Sequence, residues 1–148
     1  AAIEQPDLVS KIADHSGAQS VIGSIDVKKN LFGKYHVYSH DGTHKTSLDP
    51  VAWARELTNR GVGELLITSI DKDGTWSGYD IEIIKSIAGA VNVPVIANGG
   101  AGDVKHLTEA VSVAKASAVA LGSMVVYQKK GMGVLINFPD KEKLQAAL

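Results

Sequence analysis

The sequence is most constrained by a repeated arrangement in which a short apolar strand runs into a polar or glycine-rich loop and a helix follows. Residues 64–69 lead into an acidic turn, Asp71-Lys72-Asp73-Gly74-Thr75, and residues 93–97 lead into a glycine loop at 98–102. Continuous apolar strands that alternate with helices are typical of parallel sheets. Small ligands bind such proteins at the carboxyl ends of the strands. The sequence therefore predicts a ligand-binding rim that includes both loops.

The predicted elements form four strand-and-helix units. Predicted strands cover residues 20–25, 64–69, 93–97 and 117–121. Predicted helices cover residues 6–15, 49–60, 79–90, 103–113 and 141–148. Alternation at this spacing predicts α/β architecture with parallel strands joined by helical crossovers. Because an eight-stranded barrel needs about 250 residues, a chain of 148 residues predicts roughly half of such a barrel, folded as one domain over 1–148.

A long excursion, residues 27–48, separates the first predicted strand from the helix that should follow it. Residues 34–39 alternate in a β-like way and are followed by Asp41-Gly42, a turn dipeptide. We therefore expect an antiparallel hairpin flap. Loops of this length in compact domains usually act at a site.

Composition and charge limit the classes of binding partner, metal ion and cofactor that we expect for this chain. The formal net charge is −1 and there is no long basic run, so we expect neither nucleic acid nor a membrane surface as a partner. The first residues lack the pattern of a signal peptide, which predicts a cytoplasmic protein. The chain has no cysteine, and its five histidines show no paired metal spacing. We therefore expect no metal ion and no cofactor.

Asp26 is the first candidate for chemistry, because it stands where a buried strand is predicted to end. A carboxylate at the mouth of a core is partly desolvated, and its neighbours can tune it for proton transfer. The alternative interpretation is a helix cap or a turn former.

Two glycine loops are candidates for anion binding. The first contains Gly99, Gly100 and Gly102, and the second contains Gly122 and Ser123. Glycines let the backbone approach a ligand closely, and free amides before a helix favour an anion such as phosphate. Each loop could equally be a plain tight turn. Paired glycine loops after the last two strands are, however, the phosphate site expected of a (β/α)8 barrel.

Polar residues near the other strand ends complete the candidate rim. Asp73 and Gly74 lie in the acidic turn after the second strand, with Asp71 two residues before Asp73. Two carboxylates at this spacing could bind a metal ion, but no third ligand is evident. We therefore expect these residues to position a sugar hydroxyl or to shape a phosphate-binding loop. Thr68 and Asn98 fall near strand ends, where they either bond a substrate or are satisfied by neighbours.

These motifs, in this order, resemble one enzyme family. The chain is similar, over nearly its whole length up to Val126, to the cyclase subunit of imidazole glycerol phosphate synthase, and less so to the sister isomerase of histidine biosynthesis. The segments that carry the resemblance are Ser24-Ile25-Asp26, residues 61–75, Gly78-Tyr79-Asp80 and residues 93–102.

The resemblance implies the C-terminal half, (βα)5–8-like, of a TIM (β/α)8 barrel. Cyclases of this family join ammonia from a glutaminase subunit to a phosphoribulosyl aminoimidazole carboxamide nucleotide, which gives imidazole glycerol phosphate. By this resemblance Asp26 matches the fifth-strand member of a catalytic aspartate pair, whose first-strand partner belongs to the other half-barrel. Glu64 matches a charged position near the ammonia entrance, with a salt bridge at the barrel floor as the alternative. The phosphate and mouth positions match Thr68, Asp73, Gly74, Asn98, Gly99, Gly100, Gly102, Gly122 and Ser123.

Three departures from the family pattern keep other functions open. Asn98 stands where these cyclases usually carry a serine, the flap is longer than usual, and residues 127–139 look like divergent relatives found with surface-polysaccharide genes. One alternative is an ammonia-supplying partner of a sugar amidotransferase. The other is an inactive, phosphate-binding half-barrel that pairs with the missing N-terminal half or with a second copy of itself.

Overall fold

The structure is a computed structural model that describes residues 1–127 and 130–147. Its strands are β1 (Ile22–Lys29), β2 (Tyr35–Ser39), β3 (His44–Lys45), β4 (Glu64–Ser69), β5 (Val95–Asn98) and β6 (Ala118–Val119). They form a single sheet in the order β3-β2-β1-β4-β5-β6. The pairs β1–β4, β4–β5 and β5–β6 are parallel, and β2 and β3 add an antiparallel extension at the β1 edge.

Helices separate the parallel strands. They are α1 (Asp7–Ser16), α2 (Pro50–Asn59), α3 (Ile81–Ala88), α4 (Val104–Ser112), α5 (Ser123–Val126) and α6 (Lys141–Ala147), with a 3-10 turn at Ala18–Ser20. The predicted α/β class is confirmed, and the four parallel strands with their helices form part of a (β/α)8 barrel. Within the described ranges, no helix has the length and apolar character needed to cross a membrane.

Helix boundaries follow from capping chemistry. The Asp49 side chain accepts hydrogen bonds from Val51 N at 3.1 Å and Ala52 N at 3.0 Å, and Pro50 occupies the first helical position of α2. Asp103 caps α4 in the same way, accepting from Lys105 N at 3.0 Å. Both caps are local in sequence, and the predicted ranges for these two helices differ from the observed ones by one residue at each end.

Other predicted boundaries were wrong where tertiary pairing decides them. The first strand was expected to end at residue 25, but β1 continues through Asp26 to Lys29 because residues 26–29 pair with β2. The last parallel strand, expected over 117–121, is reduced to Ala118–Val119. The helix expected over 79–90 is Ile81–Ala88. Leu148, the expected end of the last helix, lies outside the described residues.

The helices pack on one face of the parallel sheet. On this face the strands bury Ile25, Leu65, Ile67, Val95 and Ala97, and the helices contribute Leu57, Ile84 and Leu107 to the same apolar cluster. The alternate strand positions, including Leu66 and Ile96, are only half-buried. Since successive side chains of a strand point to opposite faces, these positions define a second face, here called the inner face. It corresponds to the interior wall of a barrel.

Residues 27–48 form a hairpin that projects from the carboxyl end of β1. Its tip is held by the Asn30 side chain, which accepts from Phe32 N and Lys34 N at 2.9 Å each. Its second turn uses three consecutive positive φ angles, 52° at His40, 55° at Asp41 and 77° at Gly42. Such angles are tolerated best by Asn, Asp, His and Gly, which explains the composition of this turn.

A set of polar contacts joins the hairpin to the start of α3. Tyr35 Oη donates to Asp80 Oδ1 at 2.6 Å, and Ser69 Oγ donates to Asp80 Oδ2 at 3.2 Å. Lys29 Nζ lies 2.7 Å from Glu82 Oε2 and 4.6 Å from the centre of the Tyr35 ring. Asp80 is only 8% exposed, so its carboxylate depends on these donors. These contacts therefore anchor the hairpin beside its tip, where Lys29 pairs with Tyr35.

Candidate functional site

Three predicted site residues lie side by side on the inner face. The strand registers pair Asp26 of β1 with Thr68 of β4, and Thr68 with Asn98 of β5. Adjacent strands are separated by about 4.8 Å, so the three side chains form one row near the carboxyl ends of the strands. Asn98 Nδ2 donates to Thr68 Oγ1 at 3.1 Å. Parallel pairing thus brings together residues that are up to 72 positions apart.

The environment of Asp26 favours its protonated form. Burial is the main cause that raises the pKa of Asp26 above its usual range, and the nearby carboxylates of Asp41 and Asp73 act in the same direction. The hydroxyl of Thr68, which lies opposite Asp26 in the strand register, acts in the other direction and lowers this pKa. A raised pKa is the direction of shift that suits a carboxyl group to proton transfer.

A cavity of ≈390 Å³ lies beside Asp26. Hairpin residues supply much of its wall, and the sequence analysis did not identify them as site residues. The signals that pointed to them were the length of the insertion and the Asp41-Gly42 turn. The hairpin residues that line the cavity are Val37, Tyr38, Ser39, His40 and Asp41.

The glycine loops after β5 and β6 face a second, smaller cavity of ≈40 Å³. Most of the predicted phosphate-binding residues border it. Its lining comprises Asp73, Gly74, Asn98, Gly99, Gly100, Ala101, Ala120, Gly122 and Ser123. Within the described residues, none of the amides of Gly74, Gly100, Ala101, Gly122 and Ser123 donates to a protein acceptor. Backbone N–H groups that have no acceptor among the described residues and that surround a small cavity are suited to binding an anion.

Gly100 shows why one of these positions requires glycine. Its φ is 104°, and a Cβ atom there would collide with the carbonyl oxygen of Gly78. The two residues are also joined by a hydrogen bond of 2.8 Å from Gly78 N to Gly100 O. The glycine loop is therefore packed directly against the end of the loop that follows β4.

Gly102 does not join the other predicted phosphate ligands. It is absent from the lining of the small cavity, and its N–H donates to His106 Nδ1 at 3.2 Å. A Cβ atom at this position would lie 2.5 Å from the carbonyl oxygen of Trp76. Close packing and an occupied amide account for this glycine, and neither feature is visible in the sequence.

The two aspartates of the acidic turn after β4 have different surroundings. Asp73 borders the small cavity, whereas the Asp71 carboxylate accepts from Lys29 N at 2.9 Å and holds the hairpin. Within residues 1–127 and 130–147, no group of three His, Cys, Asp or Glu side chains is arranged to hold a metal ion.

Glu64 lies at the opposite end of β4, four residues before Thr68 on the same face. At about 3.3 Å per residue, the two are separated by about 13 Å along the strand. No ion pair involves Glu64 in the part of the chain that the structure describes. The salt bridge considered as its alternative role is therefore not formed among these residues.

The family comparison agrees with this architecture. The model of the family described as histidine biosynthesis protein matches residues 1–131. The matched range contains the row on the inner face, the hairpin and both glycine loops, and it ends before the last helix.

Among curated proteins, the chain is similar to a putative imidazole glycerol phosphate synthase subunit hisF2 of Pseudomonas aeruginosa, 44% identical over 97% of this chain and 57% of that protein. It is similar to imidazole glycerol phosphate synthase subunit HisF of Nostoc sp., 37% identical over 100% of this chain and 58% of the relative. For the HisF subunit of Saccharolobus solfataricus the identity is 48% over 80% of this chain and 47% of the relative. The chain thus spans about half the length of these relatives.

Proposed function

The chain belongs to the histidine biosynthesis protein family, and we propose that it carries the C-terminal half of the active site of an imidazole glycerol phosphate synthase cyclase. The proposed reaction is that of a lyase-type cyclase. Ammonia adds to a phosphoribulosyl aminoimidazole carboxamide nucleotide, and ring closure with cleavage releases imidazole glycerol phosphate and an aminoimidazole carboxamide ribotide. The observation that carries the proposal is the row of Asp26, Thr68 and Asn98 beside two glycine loops with undonated amides.

Asp26 is proposed as the general acid and base of this half. Its raised pKa, caused mainly by burial, suits a group that must take up and return a proton. In the family a second aspartate, supplied by the other half-barrel, shares this work. Proton transfer at both ends of the substrate would then need both halves.

The small cavity is proposed to bind one of the two substrate phosphates. Its amide donors come from the loops after β4, β5 and β6, so three loops would hold the anion. Backbone amides bind phosphate without a lysine or arginine. Thr68 and Asn98 would line the mouth between this phosphate and Asp26.

Glu64 is proposed to lie near the entrance for ammonia. It is at the amino end of β4, about 13 Å from Thr68, and its side chain has no ion-pair partner among the described residues. A glutaminase subunit that docks at this end would deliver ammonia towards the inner face, away from bulk solvent.

A complementary half-barrel is proposed to cover the inner face. That face is half-buried and carries apolar residues such as Leu66 and Ile96 as well as the polar row. The occupant is either an N-terminal half-barrel or a second copy of this chain, since a two-fold pair would also close the circle. Gel filtration that returned a well-folded monomer would exclude the self-paired form.

A second candidate function is favoured by the C-terminal segment. The family model ends at residue 131, inside the segment 127–139 that departs from the usual family pattern. Divergence at this end supports a relative that supplies ammonia to a sugar amidotransferase in surface-polysaccharide synthesis. Rescue of a histidine auxotroph lacking its cyclase, by this chain expressed together with the N-terminal half-barrel of a relative, would favour the histidine pathway. Failure by folded halves that have assembled would favour this alternative.

Two measurements test the main proposal. The purified chain is mixed with the N-terminal half-barrel of a relative, an ammonium salt and the nucleotide substrate, and imidazole glycerol phosphate is quantified. We expect turnover with the wild type, none with Asp26→Asn, and normal turnover with Asp14→Asn on exposed α1. No product from wild-type protein that has assembled with its complement would contradict the proposal.

The phosphate site is tested separately by NMR titration with inorganic phosphate. The amide signals of Gly100 and Gly122 should shift together with one dissociation constant, whereas that of Gly89, at the end of α3, should not move. Equal small shifts at all three glycines would indicate a nonspecific ionic effect and would remove the phosphate assignment.

A further inference from the structure

The polar row on the inner face ends at Asn98, a residue that was predicted only to line the mouth of the barrel. Asn98 Nδ2 donates to Thr68 Oγ1 at 3.1 Å. Thr68 lies directly opposite Asp26 in the register of β1 and β4, and its hydroxyl lowers the pKa of Asp26 against the effect of burial. The registers of β1, β4 and β5 keep the three residues directly opposite one another. Asn98 therefore reaches Asp26 only through the hydroxyl of Thr68.

The chemistry of these groups fixes the direction of the hydrogen bonds. An amide nitrogen only donates, and a hydroxyl has one hydrogen to give. Because Thr68 Oγ1 already accepts from Asn98, its own hydrogen points elsewhere, and the Asp26 carboxylate is the acceptor beside it. Without a donor at position 98, the Thr68 hydroxyl could rotate among several acceptors.

We propose that Asn98 is a positioning residue that aims the Thr68 hydroxyl hydrogen at the carboxylate of Asp26. The inference rests on the proposed role of Asp26 as acid and base, which it deepens. A hydrogen bond to the charged form of an acid favours that form, and a chain of hydrogen bonds strengthens each member. The relay thus counteracts burial and keeps Asp26 able to ionise.

Other charged groups also face Asp26. Asp41 and His40 approach from the hairpin, Glu4 from the amino-terminal segment and Asp73 from the loop after β4. These groups act on Asp26 through space, without Thr68. Removing the Thr68 hydroxyl therefore separates the relay from all the other electrostatic influences.

The test follows the titration of Asp26 by NMR of aspartate side-chain carboxyl carbons in the 148-residue chain, with the signal assigned by its loss in Asp26→Asn. We expect Asn98→Ala to shift the titration midpoint of Asp26 to higher pH. Asn98→Leu, which keeps the volume but has no donor, should do the same. Asn92→Ala, at the far end of the sheet, should leave the midpoint unchanged.

The decisive comparison uses the Thr68→Val background. There the hydroxyl is absent, and Asn98→Ala should cause no further shift. An unchanged midpoint in folded Asn98→Ala and Asn98→Leu proteins would overturn the relay, and so would equal shifts with and without the Thr68 hydroxyl. Because no substrate is used, this result is independent of the turnover assay, and either can fail alone.

Discussion

Replacing Tyr35 with phenylalanine should destabilise the protein through a single lost hydrogen bond. Tyr35 Oη donates to Asp80 Oδ1 at 2.6 Å, and Asp80 is 8% exposed. A hydrogen bond to a charged group contributes about 1.5–3 kcal/mol, and its buried acceptor is left with one fewer donor. We therefore expect the free energy of unfolding to fall by about 2 kcal/mol. For a chain of this size, that corresponds to a Tm lower by roughly 4–8 °C.

Urea denaturation followed by circular dichroism measures this loss, and Tyr38→Phe is the matched control. Tyr38 lies on the same strand, and its hydroxyl forms no hydrogen bond within residues 1–127 and 130–147. The control should change stability by less than about 0.5 kcal/mol. Equal losses in the two variants would refute the assignment, because the effect would then reflect loss of a tyrosine hydroxyl in general.

The pH dependence of Tyr35→Phe provides a second check. Burial, and then the hydrogen bond to Asp80, raise the pKa of Tyr35 far above its usual range. A raised pKa in the folded state gives stability that is fully present below the unfolded pKa of about 10 and is lost as the pH rises above it. The difference between wild type and Tyr35→Phe should therefore shrink above about pH 10. A constant difference up to pH 11 would contradict this coupling.

Three further predictions concern the site and the caps. Asp26→Asn should stabilise the fold at pH 7, because burial raises the pKa of Asp26 and penalises its ionised form. This gain in stability should vanish as the pH falls below the usual aspartate range. Urea denaturation at several pH values measures both effects. Gly100→Ala should lower stability by about 1–3 kcal/mol because of its positive φ and the collision with Gly78, whereas Gly122→Ala, with nothing within 4 Å, should be nearly neutral in the same assay. Asp49→Ala should cost about 1 kcal/mol by loss of the α2 cap, and an unchanged thermal midpoint would argue against that cap.

Local chemistry made much of the fold predictable. The strand over residues 64–69 was predicted to the residue because its apolar run is bounded by polar turns, and α2 and α4 were predicted to within one residue at each end from their Asp caps. The convergence of Asp26, Thr68, Asn98 and the glycine loops follows from a general property of parallel sheets, since carboxyl ends of adjacent strands meet at one rim.

The remaining features depend on contacts that no local pattern records. The extension of β1 to Lys29 requires pairing with β2, and the packing of Gly102 requires Trp76 and His106. The hydrogen bond from Asn98 to Thr68 depends on the register of two strands 30 residues apart. Sequence patterns specified which segments form elements, whereas side-chain partners followed only from the assembled sheet.

The position of β2 beside β1 limits how any additional strand can join this edge. Residues 26–29 of β1 already pair with β2, so only residues 22–25 offer open hydrogen-bonding groups on that side within the described part of the chain. An incoming strand that was shifted towards the carboxyl end of β1 would meet the end of β2. The hairpin thus limits the register in which another strand can pair with β1. A one-residue shift would turn the inward side chains of that strand outward. Steric contact with β2 at Asp26 opposes such a shift.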